Sequence, residues 1–236
     1  MKPPLHKKIE HDILSRIKSG EYIENETIPT EMELSDTYGV SRPTVRQAIQ
    51  SLVNEGYLER RKKRGTIVRR SKIKQEFTRY IKSFDSEMST KGMLPKTKVL
   101  NFTKTTATKE VAENLNLKKG DPVYKLTRLR FAEEKPVVFV TSFIPYEILP
   151  NLDQFDFSQH SLYESFKVMG FPIHSASRKL EIITADETIS YLLDVPENDP
   201  LFYFHTQGFT ENHLPIEYSI AKYRSDINYF VFEISN

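Results

Sequence analysis

Arg42, Arg46 and Gln50 recur four residues apart, with Gln47 beside them. On a helix these side chains form one outward row of long donors. Donors of that length suit guanine edges, adenine edges and phosphates, the chemistry of reading duplex DNA. Residues 60–74 hold nine basic residues and no acidic one. A basic run on a hairpin meets phosphates or enters the minor groove. A second chemistry is signalled by Arg128 and Arg130, which share a face if their segment is a strand. Two guanidiniums among apolar neighbours need an anion, and paired guanidiniums suit phosphate or carboxylate. Surface ion pairing with Glu133, Glu134 or Asp186 is the plain alternative. Ser161 opens a helix, either as its N-cap alone or at a helix start that also holds an anion. Glu217 is either an acceptor for a sugar or amine or a plain surface charge.

Catalytic constellations are missing from the sequence. The six His are scattered without ligand spacing, and there is no Cys to supply a thiolate, a disulfide or a nucleophile. No G-x-S-x-G, H-E-x-x-H or P-loop occurs. The expectation is a protein that is not an enzyme and has no cofactor and no metal.

The elements that must position these residues are readable in part. Leu5, Ile9, Ile13, Leu14 and Ile17 give a helical stripe that Gly20 ends. Thr30 and Glu33 make a capping-box pattern for a short second helix, stopped by a left-handed turn at Gly39. Ser41 caps a third helix with Pro43 in its first turn, and Val45, Ala48, Ile49 and Leu52 form its core stripe. Two short strands, 57–60 and 66–69, flank the turn Lys62-Lys63-Arg64-Gly65. Short helix, glycine turn, Arg-bearing helix and basic hairpin, in that order, describe a winged helix-turn-helix.

The back of the chain mixes helices 78–91, 108–116, 161–169 and 186–193 with strands 97–104, 122–132, 136–144, 175–184, 201–210 and 215–223. Without strict βαβ alternation the fold class is α+β, with an antiparallel sheet. A weak repeat runs through it. Asp121-Pro122 and Asp199-Pro200 are 78 residues apart, as are Phe131 and Phe209, and each unit reads helix, turn, hairpin. Two such units suggest a pseudo-symmetric sheet with a ligand cleft between its halves.

Charge divides the chain the same way. The net charge of +2 combines a front of residues 1–72 (15 Lys and Arg, 10 Asp and Glu) with a remainder of 19 basic and 22 acidic residues. All 15 Phe lie at or beyond Phe77. This asymmetry predicts two domains, 1–70 and 81–236, joined by a linker at 71–80. The N-terminus has no apolar signal stretch, and no run of roughly 18 apolar residues exists, so no membrane is involved and a cytoplasmic location is expected.

Residues 5–68 resemble the winged helix of the GntR family of bacterial transcription regulators. The matching residues are 28–34 (Ile-Pro-Thr-Glu-Met-Glu-Leu), 39–48 (Gly-Val-Ser-Arg-Pro-Thr-Val-Arg-Gln-Ala), Leu52, 55–58 (Glu-Gly-Tyr-Leu) and 64–68 (Arg-Gly-Thr-Ile-Val). The resemblance implies DNA contacts from Arg42, Thr44 and Arg46 and, on the wing, Gly65 with its neighbour Arg64; Gln47, beside the donor row, is added as a DNA-binding candidate. Met32 and Lys63 depart from the family, which has Arg and Gly there.

Residues 78–236 resemble the UTRA effector-sensing domain, a chorismate-lyase-like fold that marks the HutC branch. The resemblance rests on 83–88 with Gly92, Thr127-Arg128-Leu129-Arg130, Ser161-Leu162-Tyr163, Glu217-Tyr218 and Tyr223-Arg224. It implies that Arg128, Arg130, Ser161 and Tyr163 hold an effector's phosphate. Phe84, Asp85 and Ser86 would close over the ligand, and Glu217 and Tyr223 would line its other end. Asp85 departs from the small or hydroxyl residue common there. The implied protein is a homodimeric repressor of a catabolic operon, on a near-palindromic duplex DNA operator, released by a small anionic metabolite such as a phosphorylated sugar. An amino-acid-derived or phosphonate-type effector is the alternative, and a lyase-like enzyme a remote one.

Overall fold

The structure is a computed structural model that describes residues 4–69, 72–76 and 83–232, with only the backbone for Lys18. The chain divides into two compact units, Met1–Ile73 and Lys74–Asn236.

The first unit contains α1 (Leu5–Lys18), α2 (Glu31–Tyr38), α3 (Arg42–Asn54), β1 (Leu58–Arg61) and β2 (Gly65–Val68). Ile9 and Ile13 of α1 are buried against Val45, Ala48, Ile49 and Leu52 of α3, with Leu34 of α2 completing the core. Each of the Val, Ile and Leu side chains contributes roughly 1.5–3 kcal/mol by leaving water. Leu5, read as part of the α1 stripe, is 60% exposed, because the first turn overhangs the core. The capping box forms as its spacing dictates: the Thr30 side chain accepts from the Glu33 N–H, and the Glu33 carboxylate accepts from the Thr30 N–H at 2.8 Å. Gly39 ends α2 at φ 62°. Ser41 holds the N-cap position of α3, but its hydroxyl meets the Thr44 hydroxyl at 2.9 Å and caps no backbone N–H. We predict that Thr30→Ala costs about 1 kcal/mol. Calorimetry should show the first unit melting roughly 4–8 °C lower; an unchanged transition would mean that packing alone holds α2.

β1 and β2 pair antiparallel from Leu58↔Val68 to Arg61↔Gly65, and a bridge Thr27↔Ile67 adds a third segment. The wing turn needs two left-handed residues, Lys63 at φ 66° and Gly65 at φ 91°. Lys63 holds that conformation with a side chain, at a cost of about 1–2 kcal/mol, and in return it places one more cation at the tip.

The chain passes between the units within β3 (Ile73–Gln75), paired with β10 (Asn228–Phe230). Gln75 Nε2 donates to Asn228 Oδ1 at 2.7 Å, in a buried setting. Of the expected linker, 71 and 77–80 lie outside the described residues.

The second unit is one six-stranded antiparallel sheet, ordered β4-β5-β6-β9-β8-β7. Its strands are β4 (Pro95–Thr106), β5 (Pro122–Ala132), β6 (Lys135–Pro145), β7 (Ser175–Thr184), β8 (Pro200–Phe209) and β9 (Pro215–Arg224). Helix α5 (Lys109–Leu115) precedes the β5–β6 hairpin, and α7 (Glu187–Leu193) precedes β8–β9. The halves therefore meet at β6 and β9, and the repeat extends to hydrogen bonds. The Ala107 N–H donates to the Asp121 carbonyl at 2.8 Å, and the Ala185 N–H to the Asp199 carbonyl at 2.9 Å. Thr108 and Asp186 cap the two helices, and Asn116 and Asp194 end them with positive φ. Helices α5 and α7 bury Val111, Leu115, Ile189 and Leu193 on one sheet face, against Val123, Tyr218, Leu129 and Leu201. On the other face lies α6 (Leu162–Val168), whose Leu162 and Phe166 pack on Tyr124, Leu126 and Ile144.

A helix over 78–91 is corrected to α4 (Phe84–Thr90): Ser83 is extended and its side chain accepts from the Ser86 N–H, so the helix starts after it. Positions 78–82 lie outside the described residues. No described helix is long and apolar enough to cross a membrane.

Candidate functional site

Two sites emerge, one in each unit. In the first, Arg42, Arg46, Gln47 and Gln50 are exposed, opposite the buried stripe of α3, and Thr44 is half-buried. A cleft runs between the helix starts and the wing, lined by Thr30, Glu31 and Arg42 on one side and Arg60, Arg61, Lys63, Arg64 and Gly65 on the other. Glu31 sits among these cations. Its carboxylate accepts from Arg46 Nη2 at 2.9 Å and from Arg60 Nη2 at 3.0 Å. The Arg46 bond holds the Glu31 carboxyl below its ordinary range; burial opposes it, and the charges of Arg46 and Arg60 add to the lowering. One acid thus ties recognition helix to wing, a link that no local sequence pattern announces. A helix face rich in donors beside a hairpin tip of four exposed cations, Arg61 to Arg64, matches a major groove and its flanking phosphates.

The second site is a cavity on the α6 face of the sheet, enclosing about 90 Å³, several times what one water needs. Its floor follows from strand register. Arg130 lies opposite Val138, and Val138 opposite Tyr223. One row on, Arg128, Val140, Ala221 and Phe204 lie side by side across β5, β6, β9 and β8. The next row runs Ser142, Ser219, Thr206 and Arg178 from β6 to β7. Period-two alternation keeps all these side chains on one face. Ser161 and Tyr163 enter from α6, and Ser83, Phe84 and Glu87 from α4.

The polar groups form a chain with loose ends. Arg128 is 3% exposed, and its Nη2 donates to Ser142 Oγ at 3.1 Å. Ser142 Oγ donates in turn to Glu217 Oε1 at 2.8 Å. Arg128 Nε, Arg130 Nε and Glu217 Oε2 are buried without a hydrogen-bond partner. Burial, then the neighbouring Arg130 charge, pushes the Arg128 guanidinium down to about 9, while Glu217 and more weakly Tyr163 and Asp85 pull it back. Burial and the Glu217 charge push the Tyr163 phenol up, keeping it a hydrogen-bond donor. The Arg130 guanidinium lies 5.2 Å from the centre of the Phe84 ring. Glu87 is already committed, to the Glu76 N–H and to Lys91 Nζ at 2.7 Å. Three guanidiniums, from Arg128, Arg130 and Arg178, therefore face Glu217 as the one acid with an open oxygen. Unpaired buried donors beside excess positive charge call for an anion.

The alternative of surface ion pairing for Arg128 and Arg130 does not hold among the described residues. Glu133 Oε1 accepts from the Leu94 N–H, and Asp186 caps α7. Phe84, Arg128, Arg130, Ser161, Tyr163, Glu217 and Tyr223 all line the cavity. Asp85 and Ser86 do not: α4 turns Phe84 and Glu87 toward the cavity and Met88 into the core, and leaves Asp85 and Ser86 off the lining. Arg178 escaped sequence reading: it stands alone as a cation on its face of a mostly exposed strand, and only the register with Thr206 brings it to this floor. Helix α6 has seven residues, too short a dipole to carry the site, so its contribution is the side chains of Ser161 and Tyr163.

Comparison with known proteins follows the two units. The family model described as bacterial regulatory proteins, gntR family, matches residues 5–68, and that of the UTRA domain matches residues 90–227. The UTRA match starts beyond Phe84, Asp85 and Ser86. The chain is 31% identical over 229 residues to the HTH-type transcriptional repressor NagR of Bacillus subtilis (strain 168), covering 97% of this chain and 93% of that protein. It is 34% identical over 221 residues to the uncharacterized HTH-type transcriptional regulator YurK of the same strain, covering 92% and 90%. Among solved structures, PhnF from Mycobacterium smegmatis superposes with a TM-score of 0.84 at 23% identity, over 96% of this chain and 99% of that one.

Proposed function

The chain belongs to the gntR family of bacterial regulatory proteins and carries a UTRA domain, and from that premise we propose that it is a cytoplasmic, homodimeric repressor of a catabolic operon released by a phosphorylated sugar. It is a transcriptional regulator and not an enzyme, as its family and relatives are. The observation that carries the effector reading is the set of buried, unpartnered Arg128 Nε, Arg130 Nε and Glu217 Oε2 around one cavity. A phosphate satisfies the guanidiniums, with Ser161 and Tyr163 donating hydroxyls. Sugar hydroxyls satisfy Glu217, with Tyr223 beside them. A non-sugar effector, amino-acid-derived or phosphonate-type, meets the same anion requirement, and an amine on it would donate to Glu217 in place of sugar hydroxyls.

On DNA, Arg42, Thr44, Arg46 and Gln47 read the major groove of a near-palindromic operator, while Arg64 and the Gly65 turn follow the backbone. Two half-sites about one helical turn apart suit a two-fold dimer. Effector binding lowers operator affinity by as much as the effector prefers the released state. A thermal-shift screen of phosphorylated sugars tests this. A ligand at one hundred times its Kd adds about 2.7 kcal/mol of stability, and the same ligand should weaken operator binding. Its dephosphorylated form should do neither. If the dephosphorylated forms bind equally well, the anion assignment fails.

A further inference from the structure

The internal repeat reaches the helices that flank the cavity. Helices α4 and α6 lie 78 residues apart at both ends, and each follows a Ser at its N-cap, Ser83 and Ser161. They also stop alike. The Met93 N–H donates to the Met88 carbonyl at 3.1 Å and the Phe171 N–H to the Phe166 carbonyl at 2.8 Å, beside Gly92 and Gly170 at positive φ. Met88 and its counterpart Phe166 are both fully buried. At one buried position the halves differ in kind. Helix α6 has Ser165, 2% exposed, whose hydroxyl donates to the Ser161 carbonyl at 3.1 Å. Helix α4 has Glu87 there, 3% exposed. Lys91, which bonds Glu87, is likewise replaced by Met169 in the other half. Burying a carboxylate is far more costly than burying a hydroxyl. The twin helix packs without that charge, so packing is not what calls for Glu87.

We propose that Glu87 is the positioning residue through which an anion in the cavity acts on the chain that arrives from the first unit. This rests on the effector reading above and deepens it. Glu87 lines the cavity, and its Oε1 accepts from the Glu76 N–H and from Lys91 Nζ. Glu76 directly follows β3, three residues beyond Ile73, where the first unit ends. A buried carboxylate that accepts a backbone N–H fixes that stretch of backbone by a charge-assisted bond. Phe84, on the same helix, lies under the Arg130 guanidinium. An anion drawn to Arg130 therefore arrives on the wall that Glu87 occupies. It meets Glu87 as a like charge in a buried setting, where repulsion is stronger than in water. Glu87 relieves that repulsion by keeping Lys91 and giving up the Glu76 N–H. Effector and operator then favour opposite states of one hydrogen bond, which is what coupling between two sites requires.

Magnetic resonance of the full-length chain, isotope-labelled at glutamate nitrogen, tests the proposal. Inorganic phosphate is the probe, calorimetric titration measures its binding, and Glu76→Gln assigns the Glu76 signal. In the wild type phosphate should move the Glu76 N–H signal upfield and speed its exchange with solvent at least about tenfold. Glu87→Ser copies the twin helix and removes the acceptor. Its Glu76 N–H should exchange fast with or without phosphate, and its operator dissociation constant should rise at least about tenfold. Glu87→Gln keeps the shape and the acceptor but not the charge. Its Glu76 N–H should stay protected, and phosphate should bind without moving it. A merely structural role for Glu87 would not separate these two variants. Phosphate that binds the wild type but leaves the Glu76 signal in place would overturn the proposal while the anion reading of the cavity stands. So would a Glu87→Gln signal that responds like the wild type, or wild-type operator binding by Glu87→Ser. No phosphate binding at all would overturn both.

Discussion

Arg128→Met should weaken effector binding by at least about 100-fold while operator affinity of the unliganded protein stays within about threefold. The factor follows from the geometry. Arg128 is buried, its Nε has no partner, and its neighbour Arg130 supplies a second cation to the same space. A charge-assisted pair to phosphate is worth about 1.5–3 kcal/mol, and 100-fold is about 2.7 kcal/mol. The substitution also removes the Arg128 donor from the Ser142 hydroxyl that bonds Glu217, and opening a buried hydrogen-bonded charged network costs about 1–3 kcal/mol. The variant should therefore melt early as well as bind badly. Arg128→Met combined with Glu217→Gln separates the effects, because one cation and one anion leave together and the cavity's net charge stays as in the wild type. That double variant should regain most of the melting temperature and none of the response to a phosphorylated sugar. Calorimetric titration with the best ligand of the thermal screen gives the answer. Tight binding by a well-folded double variant would move the effector out of this cavity.

The second large effect is on DNA. Arg42→Ala should raise the operator dissociation constant about five- to 150-fold, a loss of about 1–3 kcal/mol, without changing effector affinity. Arg42 is exposed on the donor row, lines the cleft facing the wing, and has no ion pair among the described residues. Arg46→Ala should cost less. Its guanidinium is held by Glu31, and that bond must loosen before Arg46 reaches a base or a phosphate. Fluorescence anisotropy at fixed salt, with operator and scrambled duplexes, distinguishes the two modes. Loss on the operator alone marks base reading, and equal loss on both marks phosphate contact. Arg42→Ala binding like the wild type would remove the N-terminal end of α3 from the groove.

Local rules made part of this legible in the sequence. The Thr30–Glu33 capping box and the Gly39 stop each depend on residues within four or five positions, so spacing sufficed. The same holds for the buried stripe of α3 and for the pairing of Arg128 with Arg130 on one strand face. The repeat was legible because Asp-Pro turns and helix caps recur at a fixed offset. Boundaries were weaker. Reading α4 back to 78 ignored Ser83, whose hydroxyl is better used as a cap than inside a helix.

The amino-acid sequence by itself determined which segments are helix, strand and turn, and which faces are basic, because those choices rest on contacts only a few residues apart. Which distant side chains meet was decided by the tertiary structure alone. Arg128 and Arg178 share a cavity because strand order places β5 and β7 on one floor, four strands apart, or about 19 Å at a typical spacing. Asp85 and Ser86 are left outside it because a helix turns about 100° per residue, and the packing of α4 gives the inward positions to Phe84, Glu87 and Met88. Glu31 joins Arg46 to Arg60 across 29 residues because the wing folds back over the start of α2. Spacing along the chain carries no information about such meetings, since they are fixed by sheet order and packing.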